Sequence, residues 1–396
     1  MSLAELPAWL ILLGLAAYSV LAGADFGAGV WQLWPGRAER DFAHHAMGPV
    51  WEANHVWLIF ILVVAWTAYP TAFGSIASTL CVPLFIAGLG IIMRGTAYAL
   101  RSGTAEGREQ RTVEVVFALS SILTPFALGT VVGGIASGRV PVGNAAGDRW
   151  TSWLNSTSIT IGLLAVAFSA YLAAVYLAAD AVRSRRPELA RAFRERALAM
   201  AVVAGAAALA GLVAVHHDAR LIWHGLTHGA GLVAVLVSAV AGLSTIAFVV
   251  RARYGLARLT AAAAVAAIIV GWGFAQRPYL LPGNLTIAQG AAVRSTLIAL
   301  IVSLAIGAIV LVPSLALLFG LVLRGRFDTA SAADAPQRAL PAWNVPLLPA
   351  AFGCLVGGTL LSASLDSPWG RILGVPLLFG FLVLGFLWLA GEAARA

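Results

Sequence analysis

Five ionisable residues stand inside or at the edges of long apolar runs: Asp25, Glu52, Arg94, Glu114 and Asp180. An ionised side chain at mid-bilayer costs about 2.5–3.5 kcal/mol on insertion scales, so each needs a partner, a route to water or a chemical task. Glu52 opens the stretch GPVWEANHVWLIF, with Asn54 and His55 close behind it. Gly48 and Pro49 make a good helix start, and a carboxylate in the first turn is favoured by the helix dipole. Glu52 is then either a helix-terminal anion flanked by the interfacial anchors Trp51 and Trp57, or a proton-carrying carboxylate whose affinity is tuned by desolvation and by Asn54 and His55 on the same face. Asp25 lies toward the same side of the membrane, late in the preceding apolar run. Arg94 stands near the end of its own span and has the reach to pair with a carboxylate. Glu114 and Asp180 fall at span ends, where snorkelling suffices.

The histidines carry less. His224 and His228 are spaced i, i+4 but lie in a loop region beside His216 and His217, without a further ligand set at a recognised metal or haem spacing. Cys81 and Cys354 sit in apolar segments as small core residues. No phosphate-cradling loop, nucleophile elbow or metal cluster is present in the sequence.

The elements that must position these groups are membrane helices. Hydrophobic residues make up 60% of 396 positions and charged residues 11%, far from a soluble domain. The apolar runs lack the dyad alternation of a membrane barrel, which leaves an all-α polytopic membrane protein. Eleven spans are predicted, at 8–30, 50–69, 75–99, 113–136, 157–180, 198–215, 228–250, 257–275, 295–323, 346–364 and 372–392. The first run has no basic leader and continues into GADFGAG, as a retained span would. All the basic residues are arginines, and they concentrate after odd-numbered spans, from Arg37 and Arg40 to the run RSRRPELARAFRER. That asymmetry predicts an outside N-terminus and a cytoplasmic C-terminus. The net charge of +8 is thereby a matter of topology, not of nucleic-acid binding, and the arginine run reads as a loop facing anionic lipid. Polar connectors are short, and no soluble domain is expected.

GADFGAG followed by GPVWEANHVWLIF closely resembles subunit II of the cytochrome bd quinol oxidases. The similarity runs on through RGTAYALR, LSSILTPFALGTVVGGIASGRVP and RPYLLPGNLTIAQGAAVRSTL, covering residues 1–325. The resemblance implies a nine-helix subunit with its N-terminus outside, paired with a subunit I that carries haem b and haem d. The enzyme oxidises membrane quinol and reduces oxygen to water in the bacterial cytoplasmic (inner) membrane. Glu52 occupies the acid position of the family's G-P-V-W-[D/E] motif and Asp25 that of G-x-D-F/L-G, which implies a place for both in the cytoplasmic proton pathway. Trp51, Asn54, His55, Trp57 and Arg94 are then polar or aromatic support. No catalytic residue, metal site or confident cofactor of this chain's own is implied, although some members hold a structural quinone in subunit II. Residues 326–396 depart from the family with a polar linker and two further spans, which either take the place of a small accessory subunit or pack peripherally. The rival readings are a proton-coupled secondary transporter, against which no inverted repeat and no pair of broken helices is visible, and a non-catalytic assembly or scaffold protein.

Overall fold

The computed structural model describes residues 2–33, 36–47, 51–101, 108–323, 347–364, 373–374, 376–381 and 383–384. They form an all-α polytopic membrane protein, divided into two compact units at 1–309 and 310–396.

In the first unit, α1 (Leu6–Trp31) starts with Pro7 in its first turn, where a missing N–H costs nothing. A short helix α2 (Arg37–Met47) follows. The sequence reading places this stretch in a loop; its arginines disguised an amphipathic helix whose Ala43 is fully buried. Next come α3 (Trp51–Ala68), α4 (Pro70–Thr79) and α5 (Cys81–Arg101). The break between α4 and α5, at Leu80, falls inside the single span expected at 75–99, whereas that between α3 and α4 falls between two expected spans. Tyr69 leaves the helical region before Pro70, at φ −136° and ψ 60°, because a residue preceding proline is pushed out of the α conformation.

The long helices α6 (Arg108–Ala136), α7 (Ser156–Arg183) and α8 (Pro187–Asp218) come next. Asn155 caps α7 by accepting from the Ser158 N–H at 2.9 Å. The expected span 198–215 is shorter than α8, since helix begins at Pro187 and absorbs most of the arginine run that was read as a loop. A helix of about two turns, α9 (Arg220–Thr227), also unforeseen, leads to α10 (Gly229–Val250) and α11 (Tyr254–Gln276). A hairpin of β1 (Tyr279–Leu281) and β2 (Leu285–Thr286) then precedes α12 (Ile287–Gly290), which Thr286 and Gln289 cap reciprocally. A further long helix, α13 (Arg294–Leu323), begins in the first unit.

Seven helices among the described residues are long and apolar enough to cross a membrane: α1, α5, α6, α7, α8, α10 and α11. Shorter apolar helices lie at Asn54–Ala68, Arg294–Ile309 and Pro349–Leu361. α7 is the most buried of the seven and α8 the least, so α7 is the axis around which the unit is built. Its neighbours approach closely. A side chain at Gly27 of α1 would strike the Ser169 carbonyl of α7, and one at Gly129 of α6 would meet Gly162 at 2.8 Å. Small residues permit this contact, in which dispersion and polar bonds stand in for the absent hydrophobic effect.

In the second unit, α14 (Leu347–Ser364) lies against helical residues that follow it: a side chain at Gly358 would meet the Gly374 carbonyl at 2.9 Å, and Gly380 faces Cys354. The eleventh expected span, 372–392, lies mostly outside the described residues, as does the polar linker.

Candidate functional site

Three helices of the first unit, α1, α5 and α6, meet at Arg94. Its Nη1 donates to Asp25 Oδ2 at 2.8 Å and its Nη2 to Asp25 Oδ1 at 2.8 Å, a forked pair between α5 and α1. Nη2 also donates to the Asp25 carbonyl at 3.0 Å, and Nε to Ser121 Oγ of α6 at 3.0 Å. The Ser121 hydroxyl is itself spoken for, donating to the Phe117 carbonyl at 2.7 Å. The guanidinium carbon lies 5.0 Å from the centroid of the Phe26 ring and 4.7 Å from that of Phe117. The pair is almost wholly buried, with Arg94 1% and Asp25 6% exposed. A planar fork between two aromatic faces suits arginine and not lysine. The sequence signalled Asp25 and Arg94 separately; the structure joins them and adds Ser121, which nothing in the sequence marked.

α3 packs on α1 beside this pair. Asn54, buried, donates from Nδ2 to the Leu21 carbonyl at 3.3 Å. His55 lies between two aromatic residues of α1, with ring centroids 6.3 Å from Tyr18 and 6.1 Å from Phe26. The Tyr18 hydroxyl is buried without a hydrogen-bond partner among the described residues, an arrangement that costs roughly 1–3 kcal/mol if nothing compensates it. Sequence reasoning missed Tyr18, since one tyrosine in an apolar run looks like packing. Trp57 is half-buried and packs edge-on against Phe60 at 6.3 Å. Trp51 and Glu52 form the first turn of α3, but their side chains lie outside the described residues.

Further ion pairs gather at the same end of the bundle. Glu114 of α6, buried, lies 3.7 Å from Arg40 of α2 and 3.5 Å from Arg111. Glu39 of α2 meets Arg196 of α8 at 3.2 Å. Asp180 of α7 accepts from Arg258 of α11 at 2.9 Å. Glu114 and Asp180, read as snorkelling groups, each tie two helices together.

The opposite end is held by a different set. Arg139 forks onto Asp218, donating to Oδ1 at 2.5 Å and Oδ2 at 2.7 Å, and Thr157 donates to Oδ2 at 2.8 Å. The bond to Asp218 raises the Arg139 pKa further. Arg277 donates to Glu5 at 2.6 Å, and Glu5 is held below the ordinary carboxylate range by the Ser2 N–H and then by Arg277. His224 and His228 stack with centroids 4.2 Å apart and planes 13° apart. They border an open cleft of about 430 Å³ that also includes Arg277.

Comparison with known proteins agrees with this architecture. The model of the family described as cytochrome bd terminal oxidase subunit II matches residues 3–322. A putative cytochrome bd menaquinol oxidase subunit II of Bacillus subtilis is 23% identical over 326 residues, covering 78% of this chain and 92% of that protein. The cytochrome bd ubiquinol oxidase subunit 2 of the same organism is 28% identical over 127 residues, 31% of this chain and 38% of the relative's length. In a solved structure of the bd oxidase from Geobacillus thermodenitrificans, one chain superposes with a TM-score of 0.64 at 26% identity, covering 82% of this chain and 99% of that one. With its model matched from residue 3 to residue 322, through the helices that bury Asp25 and Arg94, the chain belongs to the cytochrome bd terminal oxidase subunit II family.

Proposed function

We propose that this chain is the subunit II of a quinol:oxygen oxidoreductase in the bacterial inner membrane, bound to a haem-bearing subunit I. The observation that carries the reading is the family match across the whole first unit. In it, the haems b and d of the partner subunit supply electron transfer and oxygen reduction, with membrane quinol as the donor. The chain's own part is to support that subunit and to admit protons from the cytoplasm.

The arginine-rich end faces the cytoplasm, with the N-terminus outside, as the charge asymmetry requires. Glu52 opens α3 at that end and takes up the proton. Asp25, held by the Arg94 fork, works as a fixed counter-ion: protonating it would strand the buried guanidinium charge. The Arg94 charge in turn lowers the cost of a carboxylate nearby. Asn54 fixes α3 on α1 through the Leu21 carbonyl, and His55 with Tyr18 continues the polar path inward. Trp51 and Trp57 anchor or pack this entrance. Residues 1–325 form the family body and 326–396 an added segment packed at its periphery or in the place of a small accessory subunit. A structural quinone is compatible with the reading, without an assigned site.

Glu52→Gln tests the proton role. Quinol-dependent oxygen uptake should slow while haem content, read from the reduced-minus-oxidised spectrum of the purified complex, stays at the wild-type level. Wild-type uptake in that variant overturns the role. Failure of a larger haem-bearing polypeptide to copurify with the wild-type chain overturns the subunit reading itself.

A further inference from the structure

Two helix-to-helix turns lie side by side at the arginine-rich end. Between α7 and α8 stand Ser184, Arg185 and Arg186; between α10 and α11 stand Arg251, Ala252 and Arg253. They share one geometry. The Arg186 N–H reaches back to the Ala181 carbonyl at 2.9 Å and the Arg253 N–H to the Phe248 carbonyl at 2.8 Å, each closing the last turn of its helix. The helices that carry the turns are tied together: Arg194 of α8 donates to the Val250 carbonyl of α10 at 2.9 Å, and Arg258 of α11 to Asp180 of α7 at 2.9 Å.

Both turns place a non-glycine residue in the left-handed region, Arg185 at φ 54° and Ala252 at φ 55°, where glycine closes a helix most easily. An arginine at such a position puts a charge where the backbone alone would favour no side chain. Arg183, Arg185, Arg186, Arg191, Arg251 and Arg253 are all exposed. Arg183 lies 3.9 Å from Asp180 and Arg186 lies over the Phe42 ring, while Arg185, Arg191, Arg251 and Arg253 make no ion pair among the described residues. Against these cations stand the exposed carboxylates Glu188 and Glu195 on α8.

The ligand that fits is anionic and also apolar. Each turn ends helices of membrane-spanning length, so the arginines sit at headgroup level. Directly beneath them are exposed aliphatic residues, Val182 at 50% and Val250 at 51%, with Leu256 at 44% below the second turn. We propose that the paired turns hold one phospholipid with two phosphates, one phosphate at Arg185 and Arg186 and the other at Arg251 and Arg253, its acyl chains lying along Val182, Val250 and Leu256. Two cationic turns fixed at one spacing select a double headgroup over two single ones, because the second phosphate binds at the effective concentration set by the first.

The test uses the intact complex in nanodiscs of mixed neutral lipid, diphosphatidylglycerol and phosphatidylglycerol, with retained lipid counted by native mass spectrometry. Wild type should keep one diphosphatidylglycerol in preference to phosphatidylglycerol. An arginine near an anionic surface contributes about fivefold in preference, so Arg185→Gln/Arg186→Gln and Arg251→Gln/Arg253→Gln should each cut retention about 25-fold. Arg149→Gln, in the connector between α6 and α7, should leave it unchanged. Haem content identical to wild type separates loss of lipid from loss of fold. Wild-type retention in either double variant, equal binding of the two lipids, displacement by millimolar inorganic phosphate, or nucleic acid as the copurifying polyanion would each overturn the proposal.

Discussion

Replacing Arg94 by methionine should be among the most damaging single changes outside the chemistry. The substitution keeps length and apolar bulk between Phe26 and Phe117 but deletes the four hydrogen bonds to Asp25 and Ser121. Asp25 is then left ionised, buried and without its partner, which typically costs about 3–5 kcal/mol. Arg94→Lys returns the charge without the fork, and each charge-assisted bond it fails to remake is worth roughly 1.5–3 kcal/mol, so it should fall between wild type and methionine. The informative member of the set is Asp25→Leu/Arg94→Met. Removing both charges replaces an ion pair by packing, an exchange that is often neutral or stabilising by about 1–4 kcal/mol. Reversible unfolding of the chain in mixed micelles would give the four corners of the cycle, with a coupling of several kcal/mol expected. A cost below about 1 kcal/mol for Arg94→Met, or a double variant as unstable as the sum of the singles, would refute the claim that the pair is a coupled, desolvated unit.

Gly27→Ala should separate α1 from α7, because the added methyl would run into the Ser169 backbone; overpacking of this kind costs about 1–3 kcal/mol, read as a lower midpoint in the same titration. Arg139→Gln should cost only about 1 kcal/mol, since the Asp218 pair is partly exposed and screened by water. Asp148 accepts from the Thr151 and Trp150 N–H groups, which hold its carboxyl below the ordinary aspartate range. A depressed carboxylate stabilises the folded turn fully above its unfolded pKa and loses that effect as pH falls through the folded value. Hydrogen exchange at residues 150–151 should therefore be slower in wild type than in Asp148→Asn near neutral pH, with the difference starting to shrink only below about pH 4 and vanishing once the depressed carboxyl is itself protonated.

Much of the helical framework was legible because a membrane demands long apolar runs. The expected spans at 8–30, 157–180, 228–250 and 257–275 lie within a few residues of α1, α7, α10 and α11. What escaped were helices whose composition obeys other rules. α2 is polar because it packs at the bundle end through Phe42 and Ala43, and the start of α8 is polar because it extends past the apolar stretch. The break before Pro70 was readable from the proline; the break at Leu80 was not, as no local residue announces it. At the site, Asp25, Arg94, Asn54 and His55 were visible as polar residues in an apolar field. Their pairing was not, since 69 positions separate Asp25 from Arg94 and only the folded bundle brings them together. Ser121 and Tyr18 escaped because a hydroxyl in an apolar run carries no sign of what it will meet.

The contacts that seat the first helix have a temporal consequence. Glu5 finds Arg277 across 272 positions, while the Ala68 carbonyl receives the Ala292 N–H at 2.8 Å. At a synthesis rate of about 5–20 residues per second, the clasp on Glu5 cannot close until roughly 14–54 s after Glu5 itself is made. Until then the tail preceding α1 is held only by its early neighbours, such as the Tyr69 hydroxyl on the Ala4 carbonyl. Assembly of this end is therefore ordered by translation, and a chain halted before residue 277 would hold its first helix through Asp25 and Gly27 but lack the clasp on Glu5.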